Sequence, residues 1–199
     1  MGTSHARAYH QLDGFEIAGL VSRQPESRER LSKELGGYPT FSSLGEALAS
    51  GPVDAVSVNT YPETHEVLVE EALSKGCHVF VEKPLALTVE ASQRLVDLAR
   101  NRGLKMVVGY ILRVHPAWEK FVELAQGLGK PLVMRMNLNQ QSSGASWEGH
   151  KKLMLTTSPI VDCGVHYVDV MCQMTRARPV RVHAVGARLS PEVEMYNYG

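Results

Sequence analysis

An acid, a base and a proline stand together at the end of an apolar run, Val79-Phe80-Val81-Glu82-Lys83-Pro84-Leu85-Ala86-Leu87. Apolar and β-branched residues bounded by turn signals predict a buried strand. Pro84 cannot donate a ladder hydrogen bond and biases Lys83 towards an extended conformation, so the strand is expected to stop at Glu82 and Lys83. Ligands bind at the carboxyl ends of strands in open α/β sheets, and an amine there can donate a proton. The alternative is a charged strand exit with both side chains in solvent.

A second polar group lies in the helix predicted over residues 159–174, which is otherwise rich in Val, Tyr and Met. With about 100° of rotation per residue, His166 lies about 40° from Asp162 and Asp169 about 20° to the other side. These three residues form one stripe, in which the histidine is suited to proton transfer near neutral pH. Two alternatives remain: a buried histidine hydrogen-bonded to one acid, and a divalent metal site. No other His or Cys cluster with ligand spacing supports the metal site, and none is predicted.

The elements that must position these residues alternate between strand and helix with short turns, which predicts βαβ units and a parallel sheet. Strands are predicted at residues 16–21, 40–41, 53–58, 77–81 and 105–108. Helices are predicted at residues 1–10, 25–35, 43–49, 62–75 and 88–102. We therefore predict an α/β fold, with a Rossmann-type doubly wound parallel sheet in residues 1–112.

The remaining residues, 113–199, have a different pattern and are predicted to form part of an α+β domain with a mostly antiparallel sheet. The predicted elements are a helix at 116–128, a strand at 132–140, a polar substrate-side loop at 141–149 and a strand at 180–189.

The start of the chain lacks the strand that normally precedes the first helix of a dinucleotide-binding unit. Of the fingerprint Gly-x-Gly-x-x-Gly only Gly2 is present, at the place of the last glycine. We expect the first strand and two phosphate-facing glycines, roughly ten residues, to be missing. In the strand order 3-2-1-4-5-6 that strand is central. The C-terminal domain is expected to be incomplete as well.

Four motifs in order carry a resemblance to a known family. They are Asn59-Thr60-Tyr61-Pro62-Glu63-Thr64-His65, Glu82-Lys83-Pro84, Gly109-Tyr110 with Arg113 and Pro116, and Asp162-Cys163-Gly164-Val165-His166-Tyr167-Val168-Asp169. In this order and spacing they resemble the glucose–fructose oxidoreductase / inositol dehydrogenase family (Gfo/Idh/MocA), whose members are nicotinamide-dependent sugar and polyol dehydrogenases. His5-Ala6 also matches the family pattern. The resemblance runs from about residue 2 to about residue 189.

The resemblance implies an active site made of Lys83, Asp162 and His166. Oxidation of a secondary alcohol needs a base for the hydroxyl proton, a role that suits His166. Lys83 could donate to the same oxygen or act as the acid in reduction, and Asp162 would orient the substrate or the imidazole. Which of Lys83 and His166 carries the proton stays open. The amine and the imidazole are expected to converge on one cleft over the nicotinamide.

The family pattern also implies contacts with the cofactor. The candidate cofactor-binding residues are Gly2, Ser22, Arg23, Asn59, Thr60, Pro62, His65, Glu82, Lys83 and Arg113. Some carry alternatives: His65 is favoured as structural, Glu82 could hold Lys83 or a nearby loop in place, and Arg113 could pair with a carboxylate.

Ser22-Arg23 follows the predicted strand 16–21, where an NAD-preferring site usually has Asp or Glu to accept from the ribose 2′-hydroxyl. A serine and an arginine could instead hold a 2′-phosphate by charge-assisted hydrogen bonds. We predict NADP as the cofactor, with NAD as the alternative; Arg23 as an ordinary exposed cation is the competing interpretation.

The composition of the chain limits the kinds of partner and cellular compartment that can be expected. The chain has 199 residues with 21 Lys plus Arg and 21 Asp plus Glu, so its formal net charge is zero and no nucleic-acid partner is predicted. Three cysteines without a Cys-x-x-Cys pair favour a reduced, cytoplasmic protein. No run approaches the roughly 18 apolar residues of a membrane span, and no membrane partner is predicted.

The predicted activity is hydride transfer between a nicotinamide cofactor and a hydroxyl or carbonyl carbon of a sugar, polyol or related small molecule. Two alternatives are a non-catalytic dinucleotide- or sugar-binding relative and an inactive truncated product, because a fold does not fix a function. An incomplete second sheet would expose an edge, so a homo-oligomer through the C-terminal sheet is expected.

Overall fold

The structure is a computed structural model that describes residues 1–130, 134–138 and 142–196. The chain divides into two compact units, of which unit 1 is Met1–Gly109 and unit 2 begins at Tyr110. The division therefore lies slightly before the one expected after residue 112.

Unit 1 alternates helices and strands as the sequence predicts. Its elements are α1 (Gly2–Gln11), β1 (Leu20–Val21), α2 (Pro25–Glu34), β2 (Thr40–Phe41), α3 (Leu44–Ser50), β3 (Ala55–Val58), α4 (His65–Ser74), β4 (His78–Val81), α5 (Val89–Asn101) and β5 (Met106–Val108). The prediction of a Rossmann-type α/β fold is confirmed. The strand expected at 16–21 is shorter, because ladder bonds to β2 are made only at Leu20 and Ser22.

All strand pairs in unit 1 are parallel, and they form two groups: β1 with β2, and β3-β4-β5 in that order. The two groups are not joined by backbone pairing. In the order 3-2-1-4-5-6, β1 and β2 take the places of strands 2 and 3, and β3, β4 and β5 take the places of strands 4, 5 and 6. The interruption between β1 and β3 is therefore the place of strand 1 in that order.

Helix ends in unit 1 follow the local sequence. The side chain of Ser43 accepts from the Glu46 amide at 3.2 Å, and that of Thr88 from the Ala91 amide at 3.1 Å, so both residues act as N-caps. Gly76 and Gly103 follow α4 and α5 with φ of 86° and 66°, the left-handed conformation that ends many helices.

The main core of unit 1 lies between the three-stranded group and the helices α4 and α5. It contains Leu73, Val69 and Val81, each 0% exposed, together with Leu95 from α5. Each fully buried side chain of this size contributes about 1.5–3 kcal/mol to folding by leaving water. The core therefore fixes β4, and with it the position where β4 ends.

Unit 2 is helical in the part of the chain that the structure describes. It contains a 3-10 turn at Ile111–Arg113, α6 (Pro116–Gly127), α7 (Gly144–Leu153), a π-helical turn at Ile160–Gly164 and α8 (Val165–Thr175). The single regular helix predicted over 159–174 is thus interrupted, because its first turns adopt the wider π-helical geometry.

Three further predictions in unit 2 differ from the structure where the structure describes their residues. The loop predicted at 141–149 is wrong from residue 144 onward, because α7 begins there. The last turn of α7 contains basic residues, which complement the helix dipole. The strand predicted at Val180–Leu189 forms only an isolated bridge at Ala187, since these residues have no ladder partner among those described. Of the strand predicted at 132–140, residues 132, 133, 139 and 140 lie outside the described residues, and 134–138 are not in a strand.

Candidate functional site

The carboxyl ends of β3, β4 and β5 lie side by side. Val81 pairs with Val58 on one side and Val108 on the other. The alignment continues one residue further, because the Glu82 amide donates to the Val58 carbonyl at 2.9 Å and the Gly109 amide to the Val81 carbonyl at 2.8 Å. One edge of the sheet therefore presents the residues that follow these strands.

Glu82 and Lys83 differ in their surroundings although they are adjacent. Glu82 is only 5% exposed, whereas Lys83 is partly exposed, and the Lys83–Pro84 peptide bond is cis. The interpretation in which both side chains lie in solvent is therefore wrong for Glu82. Lys83 is therefore the more exposed residue of this pair at the sheet edge.

The Glu82 carboxylate is held by a residue from the first helix. His5 Nε2 lies 2.8 Å from Glu82 Oε1, and the His5 ring stacks in a tilted arrangement on Phe80, with ring centroids 5.1 Å apart. On the other side, a Cβ added at Gly109 would lie 3.0 Å from Glu82 Oε2. Glu82 thus contacts α1 and the end of β5, which explains why it is buried.

His65 contacts the residue that follows Lys83, as His5 contacts the residue that precedes it. It is 0% exposed; its Nδ1 lies 2.6 Å from the Pro84 carbonyl oxygen and its Nε2 3.1 Å from the Thr60 carbonyl oxygen. These contacts connect the turn after β3 with the turn after β4. The expectation that His65 is structural agrees with this burial.

The turn after β3 also meets the N-terminus of α1. Gly2 lies beside Asn59, since a Cβ added at Gly2 would be 3.6 Å from Asn59 Cβ. Asn59 Nδ2 donates to Ser57, whereas the buried Asn59 Oδ1 has no hydrogen-bond partner in the part of the chain that the structure describes. Pro62 is buried and Thr60 is exposed in the same turn.

This arrangement fits part of a dinucleotide. Helix α1 has no side-chain cap at its N-terminus and no acid in its first turn, so its first amides and its dipole favour an anion such as a phosphate. The unsatisfied Asn59 Oδ1 is an acceptor that a ribose hydroxyl could satisfy. Gly2 and Asn59 therefore lie close together; the contacts of Gly2, Asn59 and Thr60 with a cofactor stay a prediction.

Ser22 and Arg23 follow β1, as predicted. The Ser22 side chain accepts from the Gln24 amide at 3.2 Å, and Arg23 is exposed. A residue that the sequence analysis did not select, Arg28 on α2, donates through Nη1 to the Ser22 carbonyl at 2.8 Å. Arg28 Nε is buried and has no hydrogen-bond partner among the described residues. Two guanidinium groups therefore belong to the segment that follows β1.

In unit 2 the predicted stripe is divided by the π-helical turn. Asp162 lies in this turn and accepts from the Cys163 thiol at 3.3 Å. His166 lies in the first turn of α8, where its ring is edge-on to Tyr110 with centroids 6.2 Å apart. Burial, followed by the charge of Asp169, raises the pKa of the Tyr110 phenol. Tyr110 therefore stays a neutral donor beside His166 at physiological pH.

Arg113 forms a two-bond ion pair with Asp169, the third residue of the stripe. Its Nε and Nη2 lie 2.9 and 2.5 Å from the two carboxylate oxygens, and the guanidinium lies 5.3 Å from the centre of the Tyr110 ring. The hydrogen bonds that Arg113 donates to Asp169 raise the pKa of Arg113. Asp169 also accepts from Gln173. The alternative in which Arg113 pairs with a carboxylate is what the structure shows; its contact with a cofactor stays a prediction.

Three other features of the described residues concern metal sites, membrane-spanning helices and a groove. No group of three or more His, Cys, Asp or Glu side chains among them is placed to hold a metal ion. None of the described helices combines the length and apolarity needed to cross a membrane. A groove of about 530 Å³ in unit 2 is lined mainly by α6, residues 134–137 and α8, and neither Asp162 nor His166 lines it.

Sequence reasoning missed three contributors: His5 as the partner of Glu82, Arg28, and Tyr110 as the neighbour of His166. A signal for His5 was available, because His5 and Tyr9 are four residues apart and therefore share one face of the predicted first helix. For Arg28 and Tyr110 the sequence gives no comparable signal, since their roles depend on contacts formed only by folding.

Comparison with known proteins places these observations in a family. Residues 1–110 match the GFO/IDH/MocA oxidoreductase family with an NAD-binding Rossmann fold, and residues 124–199 match a C-terminal domain of the same family. The chain is 31% identical over 186 residues to UDP-N-acetylglucosamine 3-dehydrogenase of Acidithiobacillus ferrooxidans, covering 94% of this chain and 55% of the relative.

Two further relatives extend the comparison. Inositol 2-dehydrogenase of Agrobacterium fabrum is 28% identical over 175 residues, covering 86% of this chain and 50% of the relative. The crystal structure of GenD2 from gentamicin A biosynthesis, solved with NAD, superposes with a TM-score of 0.81 at 24% identity, covering 98% of this chain and 56% of that one. The last comparison shows the fold alone. The chain spans about half the length of the curated relatives it matches.

Proposed function

Because this chain belongs to the Gfo/Idh/MocA oxidoreductase family, we propose that it serves hydride transfer between a nicotinamide cofactor and a hydroxyl or carbonyl carbon of a sugar, polyol or related small molecule. The observation that carries the proposal is the shared carboxyl edge of β3, β4 and β5. This edge brings Asn59 and Thr60 beside the Glu82-Lys83-Pro84 turn, with the N-terminus of α1 next to Asn59.

The residues of the chain would donate and accept the proton that accompanies hydride transfer. The nicotinamide, when bound, accepts or supplies the hydride. Lys83 is proposed to donate to the substrate oxygen, which stabilises negative charge there or supplies a proton in reduction. His166 is proposed to take the hydroxyl proton in oxidation, with Asp162 orienting the substrate or the imidazole. Lys83 and His166 are both partly exposed residues, which supports these roles, whereas the Nδ1 atom of His166 is buried.

For the cofactor we propose a preference for NADP over NAD. Ser22 and Arg23 follow β1, and neither of them is the carboxylate that usually accepts from a ribose 2′-hydroxyl. Arg28 adds a second guanidinium, hydrogen-bonded to the Ser22 carbonyl, and so fixes the backbone that carries Ser22. Positive charge at this point favours a 2′-phosphate, because arginine and phosphate form strong charge-assisted hydrogen bonds.

A fluorescence titration of the chain with NADPH and with NADH tests cofactor binding directly. We expect NADPH to bind more tightly, and Arg23→Ala to weaken NADPH much more than NADH. The matched control is Arg102→Ala, an exposed arginine that contacts the Ser74 carbonyl at the far end of α4. Equal affinity for the two cofactors would refute the NADP preference, and no binding of either would refute the proposed function for this chain.

Turnover assays decide between an enzyme and a non-catalytic relative. The substrates to test first are nucleotide-linked amino sugars and inositols, since relatives that match this chain are dehydrogenases named for such compounds. Reduction of NADP⁺ or NAD⁺ with one of them supports the enzyme. Cofactor binding without turnover on any of them would favour a dinucleotide-binding relative without catalysis.

We also propose a cytoplasmic homo-oligomer that associates through unit 2. Cys77, Cys163 and Cys172 are all free thiols, which suits a reducing compartment. Val180, Val182 and Val185 are at least 79% exposed, so an apolar segment of unit 2 is available for pairing. Sedimentation analysis of the chain checks the oligomer, and a monomer at micromolar concentration would contradict it.

A further inference from the structure

Two histidines from different helices, partly exposed His5 and buried His65, flank Lys83 in the structure. His5 on α1 contacts Glu82, the residue before Lys83, and His65 on α4 contacts the carbonyl of Pro84, the residue after it. We propose that His5 and His65, here called the flanking histidines, are positioning residues that fix the Lys83 amine for proton transfer. The inference rests on the proposed function and identifies the groups that make Lys83 effective.

The His5 contact controls the residue before Lys83. A buried carboxylate is destabilising unless it is paired and hydrogen-bonded, so Glu82 depends on the 2.8 Å contact with His5. The space around Glu82 leaves little freedom, because Phe80 stacks on His5 and Gly109 lies against the second carboxylate oxygen. Any residue larger than glycine at 109 would displace the carboxylate. This contact therefore restrains the Glu82 side chain, in addition to the backbone bond from the Glu82 amide to the Val58 carbonyl.

The His65 contact controls the residue after Lys83. Carbonyl oxygens only accept, so the 2.6 Å contact with Pro84 requires an N–H on His65. A neutral ring donates to one of its two carbonyl neighbours, and a protonated ring donates to both Pro84 and Thr60. In either state the ring spans the turns after β3 and β4. Because His65 is 0% exposed, it cannot turn away into water.

Together the flanking histidines connect the Lys83 turn to α1 and to the Thr60 turn, two segments proposed to hold the cofactor. Displacing a catalytic group by about 1 Å can cost about 100-fold in rate. Loss of either contact should therefore lower kcat more than it changes the affinity for cofactor, since the side chains themselves contact protein groups.

The experiment compares His5→Gln and His65→Gln with His10→Gln. His10 is the matched control, an exposed histidine on α1 whose ring nitrogen lies 2.9 Å from the Tyr38 hydroxyl. We expect kcat to fall about 10- to 100-fold in the two flanking variants with little change in KM, and to stay normal in His10→Gln. Glu82→Gln keeps the size and a hydrogen bond to His5, so it should retain more kcat than Glu82→Ala.

A double-mutant test separates positioning from a general structural role. In a Lys83→Ala background the flanking substitutions should lower the residual rate no further, because they act through the missing amine. Additive losses in that background would overturn the inference. So would unchanged kcat in both folded histidine variants. Should His65→Gln fail to fold, the His5 and Glu82 variants still decide the outcome.

A second readout does not depend on turnover. Acylation of Lys83 relative to exposed Lys105 can be followed by peptide mass spectrometry. We expect the ratio of Lys83 to Lys105 acylation to change about threefold or more in His5→Gln and His65→Gln, since labelling follows the unprotonated fraction and accessibility of the amine. Unchanged labelling would overturn positioning of Lys83. Failure of the wild-type chain to bind NADPH or NADH would instead refute the proposed function, so the two failures are distinguishable.

Discussion

The two residues proposed to move the proton are held in different ways. Lys83 follows a buried strand, and its neighbours Glu82 and Pro84 are each held by a histidine from a different helix. His166 follows a π-helical turn in a helix whose residues Ile160 and Val168 are 62% and 55% exposed. Both are polar groups next to apolar residues, yet in the part of the chain that the structure describes only Lys83 follows an element, β4, that belongs to the continuous core.

The difference follows from the kind of element that carries each residue. Parallel strands align their carboxyl ends through backbone hydrogen bonds, so one strand places the exits of its neighbours as well. A helix satisfies its backbone internally, and its orientation depends on what covers its apolar face. The Lys83 region is therefore fixed by the sheet, whereas the His166 region depends on packing within unit 2.

The largest expected effect tests whether both regions serve the reaction. Lys83→Ala and His166→Ala should each lower turnover about 10²- to 10⁴-fold, the range of general acid–base catalysis. Cofactor affinity should change much less, which a fluorescence titration measures alongside the steady-state rate. Exposed Lys105→Ala and His183→Ala are the matched controls. Near-normal turnover in either active-site variant would remove that residue from the mechanism.

The next effect concerns stability and compares one leucine from each unit. Leu73 is 0% exposed in the core of unit 1, and Leu128 is 90% exposed in unit 2. Leu73→Ala should lower the free energy of unfolding by about 2–5 kcal/mol, because it removes buried surface and leaves a cavity. Leu128→Ala should stay within about 0.5 kcal/mol of wild type. Urea denaturation measures both, and similar losses would show that Leu128 is covered in solution.

A smaller effect is expected at the ion pair that joins the start of unit 2 to α8. Arg113 and Asp169 have side chains 54% and 12% exposed, so solvent screens much of their attraction. Asp169→Asn should lower the free energy of unfolding by about 1 kcal/mol or less. The loss should shrink at high salt. A double-mutant cycle with Arg113→Met isolates the pair, and a coupling energy near zero would make Arg113 available to a ligand.

The smallest effect is a pH dependence at Tyr110. Burial and Asp169 raise the pKa of this phenol, so its contribution to stability is complete below the unfolded pKa of about 10 and is lost as pH rises through the folded pKa. Ultraviolet titration of the phenolate should show one tyrosine ionising late, and Tyr110→Phe should remove that component. Asp169→Asn should lower the pKa of Tyr110; an unchanged titration would contradict the contact.

Particular residues show how far sequence alone reached. Apolar runs bounded by glycine and proline predicted β4 and the exit at Lys83, because burial and turn chemistry are local signals. The helices predicted from residues 43 and 88 begin within one residue of those positions, directly after the caps Ser43 and Thr88. The turn at Ile160–Gly164 was not predicted, since a π-helical turn leaves little trace in apolar periodicity. The helix at 144–153 was missed because its first residues, Gly144-Ala145-Ser146, read as a loop.

The sequence by itself determined the order of strands and helices in unit 1, the family, and the presence of Lys83 at a strand end, because these depend on residue type and spacing. Only the tertiary structure decided which groups surround that lysine. The contacts of His5 with Glu82 and of His65 with Pro84 join residues 77 and 19 positions apart. Such pairs form when α1, α4 and β4 are folded together, and no periodicity within one segment records them.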